Sequence, residues 1–165
     1  MKWDRVSSIA EILSSVAVVV TLVYLAVEIN QNSEILQANS RDNVLGADLQ
    51  HLYRLVDNPQ LWLTFSKPDL TETERIELYF SLAALMRIRE RDWLQVQSGA
   101  LDEETWQAYK PGMLMTLSMP QTRKWWEGVN AGDPPLFAPG FIEEVNSDLE
   151  GWPMYGADAV LGVFN

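Results

Sequence analysis

Val6–Ile29 reads VSSIAEILSSVAVVVTLVYLAVEI, and within its second half, Val16–Val27, only Thr21 and the hydroxyl of Tyr24 are polar. As a helix this stretch rises about 36 Å, against a bilayer hydrocarbon core of about 30 Å. Lys2 and Arg5 bracket its start, Trp3 stands before it and Tyr24 lies toward its far end. Those are the basic and aromatic anchors of a membrane interface. The stretch reads as a transmembrane helix. It divides the chain into a span (1–30), an amphipathic stalk helix (31–58), a helical soluble domain (59–150) and a tail rich in glycine and aromatics (151–165).

Two other readings fit parts of the pattern. A signal peptide has the same order of charged start and apolar run, but it needs a small-x-small cleavage site. Leu25-Ala26-Val27-Glu28 offers none, and helix-compatible residues continue beyond it. A buried helix of a soluble domain draws support from Glu11, Ser14 and Ser15, which dilute the apolar first half. Orientation follows from the basic residues: Lys2 and Arg5 precede the span, and none follows until Arg41. That bias predicts a cytoplasmic N-terminus in a bacterial inner membrane, with the soluble domain outside the cytoplasm.

One line along the span differs from the rest. Ser7, Glu11, Ser14, Val18, Thr21, Leu25 and Glu28 follow one another at alternating steps of four and three, which places them on a single seam. Small and hydroxyl side chains let helices approach closely in lipid, and an acid inside a span is costly to leave facing hydrocarbon. Glu11 has three readings: it reaches back to the headgroups, it joins a self-association seam, or it lines a polar pore.

The chain has no cysteine, which excludes disulfides, thiolate metal sites and thiol nucleophiles. Of its 12 Lys and Arg and 23 Asp and Glu, only Lys2, Arg5, Asp4, Glu11 and Glu28 precede residue 30, so the remainder carries a net charge of −10. A surface that acidic repels phosphate backbones, and nucleic acid is not an expected partner.

Beyond Ile29 the helical pattern continues. Ile35, Ala38, Leu45, Leu49, Leu52 and Val56 form a three–four stripe, matched to the seam only after a slip near Glu28–Gln31. A continuous helix to residue 57 runs roughly 80 Å, and Asp57-Asn58-Pro59 ends it. A short helix follows from Pro59, then a turn at Ser66–Asp69. Thr71-x-x-Glu74 is a capping box before a long central helix, about Glu72 to Gln97, closed by Gly99. Asp102 caps the next helix, which Lys110-Pro111-Gly112 is expected to break or kink. Pro120 opens a helix expected to stop at Gly128, and Pro139–Leu149 is the last. No strand-type alternation appears, so the predicted fold class is all-α.

Nothing in the sequence assembles a catalytic site. His51 is the single histidine, on the exposed-looking side of the stalk, and Asp48-x-x-His51 is half of a di-iron motif with no second half. The acids Glu72/Glu74/Glu77, Asp102/Glu103/Glu104 and Glu143/Glu144 read as helix-start carboxylates on solvated faces. Arg87-Ile88-Arg89-Glu90-Arg91-Asp92 reads as an ion-paired surface or as an anchor for acids of neighbouring helices, with an anion or headgroup site as the weaker alternative. Trp62, Trp93, Trp106, Trp125 and Trp126 fall at helical positions that build a core. No cofactor or metal site is expected.

Several segments share one order: Trp3-Asp4, VVVTLVYLAVEI, Gln31-Asn32, Leu101-Asp102-Glu103-Glu104 leading into Trp106-x-x-Tyr109, and Pro120-x-x-Arg123-x-Trp125-Trp126. To about Leu149 the chain resembles a widespread family of small, uncharacterised bacterial membrane-anchored proteins. The resemblance implies a location and carries no catalytic residues. Lys110-Pro111-Gly112 departs from the uninterrupted helix expected there. The functional expectation is a non-enzymatic, homo-oligomeric membrane scaffold in the lipid bilayer. Two alternatives are an accessory subunit of a larger membrane complex, and a small cation pore with Glu11 and Glu28 as charged rings.

Overall fold

The computed structural model describes residues 2–156, with side chains at residue 11 and from residue 13 onward. The side chain of Ser7 and the end of the tail, 157–165, lie outside the described residues. Six helices follow one another: α1 (Lys2–Asp57), α2 (Pro59–Thr64), α3 (Glu72–Gln97), α4 (Glu103–Leu117), α5 (Pro120–Asn130) and α6 (Pro139–Glu150). No strand occurs among the described residues, and the fold is all-α. The chain forms two units, residues 1–39 and 40–165.

The first unit is helix α1 as far as Asn39. Its apolar side chains are bare, with Leu13, Val19, Leu22 and Val23 between 59% and 65% exposed. No residue of its most apolar window is buried. One helix near the N-terminus is therefore long and apolar enough to cross a membrane. Two hydroxyls of this unit are satisfied along the helix: Ser15 donates to the Glu11 carbonyl (2.9 Å) and Thr21 to that of Ala17 (2.8 Å).

The second unit is built on α3. Its N-terminus carries the predicted capping box: Thr71 Oγ1 accepts from the Glu74 amide, while the Glu74 carboxylate accepts from the Thr71 amide. Its C-terminus closes through Gly99, whose φ of 73° is a left-handed conformation that favours glycine. The main core joins α3 to α4, α5 and α6 through Met86, Trp106, Leu117, Trp126, Phe137 and Phe141. Trp126 stacks on Phe137 at 5.4 Å and meets Phe141 edge-on at 6.1 Å. A second cluster, Leu61, Phe65, Leu78, Leu82 and Met119, seats α2 against α3.

Neither the break expected at Lys110-Pro111-Gly112 nor the stop expected at Gly128 occurs. α4 runs unbroken through Lys110-Pro111-Gly112. Proline removes one N–H, and its ring leaves the carbonyl four residues back unmatched. That carbonyl belongs to Gln107, exposed like Pro111 itself, so water can reach it. Meanwhile Trp106, Lys110, Met113, Leu114 and Leu117 hold the buried face through the break. α5 likewise passes Gly128 and ends at Asn130, whose side-chain amide donates to the Trp126 carbonyl (2.9 Å). Packing on one face outweighs local propensity in both cases.

Phe141 is wholly buried among three rings. Phe141→Ala is expected to destabilise the second unit by about 3–5 kcal/mol. Chemical denaturation of the detergent-solubilised protein, followed by tryptophan fluorescence, measures this.

Candidate functional site

Within the basic run of α3, Arg89 points inward while Arg87 and Arg91 stay exposed. Arg89 is 2% exposed and Asp92 is wholly buried. One guanidinium nitrogen of Arg89 donates to Asp92 at 3.2 Å and the other to Asp48 of α1. Arg91 donates to the second oxygen of Asp92 at 2.7 Å. Burial pulls Arg89 below its ordinary pKa, against the opposing field of Asp92, and guanidinium still stays charged. Two residues away, Arg87 holds Glu90 at 2.5 Å and the Leu136 carbonyl at 2.7 Å. Glu90 in turn accepts from the amide of Ala138, the N-cap of α6, at 2.6 Å. Both of the stronger expected readings are realised: Arg89 anchors Asp48 of a neighbouring helix, and the exposed Arg87 and Arg91 are ion-paired within α3.

That anchor sets which way α1 faces. Within residues 40–57, Ser40 and Val44 are buried and Asp48, His51 and Leu55 are half-buried against the domain. Leu45, Leu49, Leu52 and Val56, which form the apolar stripe of the sequence, are 41% to 73% exposed. His51 is therefore not on the exposed side, as its neighbours in sequence suggest. It is half-buried, and burial, followed by the charge of Arg54, lowers its pKa, so the imidazole is neutral near pH 7.

Between α1, α2, α3 and α4 lies a cleft of about 280 Å³. Asp48, His51, Arg89 and Tyr109 line its polar part. Leu52, Leu55, Trp62, Leu85 and Met113 supply its apolar wall. The Arg89 guanidinium stands 5.3 Å from the centre of the Tyr109 ring. Asp48-x-x-His51 is thus one side of a cleft; among the described residues no group of acids and histidine is placed to hold a metal.

The acid clusters divide. Asp102 caps α4 through the Thr105 amide (2.9 Å) and pairs with Arg41 (2.7 Å). Burial raises its carboxyl, but those hydrogen bonds outweigh it and bring it to about 2. Glu74, bound by Lys67 at 2.6 Å and by Thr71, is also brought to about 2. These are helix-start acids, as expected. Glu144 is not: it accepts from the indoles of Trp93 (2.6 Å) and Trp106 (2.9 Å) and pairs with Lys110 (2.8 Å). Lys110 also reaches Asp148 at 2.9 Å. Burial raises the Glu144 carboxyl, yet these donors outweigh it and hold it below the usual range. The spacing Glu144-x-x-x-Asp148 against Lys110 is the one sequence signal for this knot, and it needs the fold to be read.

Along the seam, Glu11, Ser14, Val18, Thr21 and Leu25 are exposed on α1, and Glu28 is half-buried beside the Tyr24 hydroxyl that hydrogen-bonds it. No known protein family, curated protein or solved structure matches this chain. Membership of the bacterial membrane-anchored family stays a proposal resting on the quoted motifs.

A depressed carboxyl pKa contributes stability above its unfolded value, about 4.3 for glutamate, and loses it as pH falls through the folded value. Glu144→Gln is expected to lose roughly 1–3 kcal/mol near pH 7, after allowance for its partial exposure. It should also show a shallower acid loss below about pH 4 than the parent. Denaturation midpoints measured across that range decide it, and parallel slopes would show that Glu144 is not a titrating contributor.

Proposed function

We propose that this chain is a non-enzymatic, single-pass membrane protein of the bacterial inner membrane. It self-associates through the seam Ser7, Glu11, Ser14, Val18, Thr21, Leu25 and Glu28 and displays its acidic helical domain as a homo-oligomeric scaffold. The positive-inside bias of Lys2 and Arg5 favours a cytoplasmic N-terminus and a soluble domain outside it. The observation that carries the reading is the outward stripe of α1. Leu45, Leu49, Leu52 and Val56 are exposed at steps of four, three and four, the spacing that a second identical helix covers by knobs-into-holes packing. Contiguous apolar surface of this kind marks an interaction face. Arg41 and Asp42 at one end, and Arg54 and Asp57 at the other, give mixed charge and no single-sign repulsion along the stripe.

The absence of cysteine permits a clean test. Light scattering of the intact detergent-solubilised protein is expected to give a discrete multiple of 18.8 kDa. Single cysteines at 45, 49, 52 and 56 are expected to form disulfide-linked dimers in membranes, while cysteines at 43, 50 and 54 do not. Glu11→Leu is expected to weaken the oligomer. A monomeric mass overturns self-assembly and favours an accessory subunit that awaits its partner. An unchanged oligomer in Glu11→Leu removes that carboxylate from the seam.

A further inference from the structure

After α6 the chain crosses the second unit once more, toward the cleft. Trp152 packs on the main core, and Tyr155 packs on the second cluster, where its amide donates to the Ser118 carbonyl at the end of α4 (2.9 Å). Leu55 and Trp62, two walls of the cleft, pack on that same cluster. Thr116, two residues before Ser118, belongs to the lining as well. The described residues thus end at Gly156 within about a helical turn of the cleft. Ala157-Asp158-Ala159-Val160-Leu161-Gly162-Val163-Phe164 follows in the sequence.

That segment matches the cleft in reach, chemistry and size. Gly112 lines the cleft six residues before Ser118, about 9 Å back along α4. Ala157-Asp158-Ala159 spans up to about 10 Å, enough to bring Val160 and Leu161 level with it. Val160, Leu161, Val163 and Phe164 are apolar, and Asp158 is the segment's one charged side chain. The accessible walls are apolar too: Leu52 is exposed, and Leu55, Trp62 and Met115 are half-buried. A volume of about 280 Å³ holds roughly nine water-sized groups, room for the side chains of Val160 and Leu161 together. A short tether holds such a segment at millimolar effective concentration, so weak apolar contacts suffice to seat it. We infer that the cleft is the seat of the chain's own segment Val160–Phe164, which covers Leu52, Leu55 and Trp62. Segment and cleft belong to one chain, so the inference holds for a monomer and an oligomer alike.

The absence of cysteine makes the contact measurable in the full-length protein held in lipid nanodiscs. A Cβ added at Gly112 meets no atom within 4 Å, so Gly112→Cys is a mild probe of the cleft wall. It is combined in turn with Val160→Cys, Leu161→Cys and Val163→Cys. At least one pair is expected to close an intramolecular disulfide, read as loss of both free thiols without a dimer band. Lys124 is exposed on α5, six residues beyond Ser118 and within the same reach. Lys124→Cys with the same tail cysteines is expected to oxidise at least about tenfold less. Equal oxidation at 112 and 124 shows a segment without a seat and overturns the inference, as does the absence of any bond at 112. A disulfide between two chains overturns it in favour of a second copy as the occupant. His51, the single histidine, lines the cleft and gives an independent readout. In ¹³C-histidine-labelled full-length protein, Leu161→Ser with Phe164→Ser is expected to shift the His51 ring resonance, and an unchanged resonance overturns the seat.

Discussion

The second unit depends on one buried charge cluster. Asp92 is wholly buried, yet two guanidiniums reach it, and one of them, Arg89, also holds Asp48. Taking such charges out of water is expensive unless each finds its partners, and breaking one pair leaves the others stranded. The pairing is also directional, since it fixes which residues of α1 face α3. Apolar burial alone turns Leu45, Leu49, Leu52 and Val56 inward; the ion pair turns them out. The cost is apolar surface left in water, and the result is a helix with two usable faces. One face closes a cleft. The other leaves Leu45, Leu49 and Val56 exposed.

Much of this architecture is legible in the sequence, for local physical reasons. The capping box at Thr71 and Glu74, the left-handed Gly99, Asp102 at a helix start and Pro59 and Pro120 at first turns each act within one or two turns of chain. The long apolar run before Asn30 is likewise self-announcing. What resisted reading is non-local. His51 looked exposed because the stripe beside it is apolar, and only the Asp48–Arg89 pair, 41 residues apart, reverses that. Glu144 looked like one more solvated helix-start acid, and its two indole donors and Lys110 come from α3 and α4. Pro111 looked like a break, and the core along the opposite face of α4 carries the helix across it.

The candidate site was half visible. Asp48-x-x-His51 could be marked as an incomplete motif, and the Arg87–Asp92 run as a possible anchor. That they meet in one cleft required the placement of α1 on α3 and α4. The seam in the span is the opposite case: its spacing is plain from the sequence, and its meaning depends on what lies against it. The apolar stripe proposed for self-association borders the cleft, since Leu52 belongs to both.

The network on α3 also orders events in time. Arg87 and Glu90 hold Leu136 and Ala138, so α3 is completed by chain roughly fifty residues downstream. A chain made from its N-terminus forms local structure first and long-range contacts late. The apolar helix before Asn30 is therefore committed to its surroundings before the domain behind it closes, and residues 45–56 present their leucines throughout that interval. Under the self-association proposed above, that interval is when neighbouring nascent copies would meet.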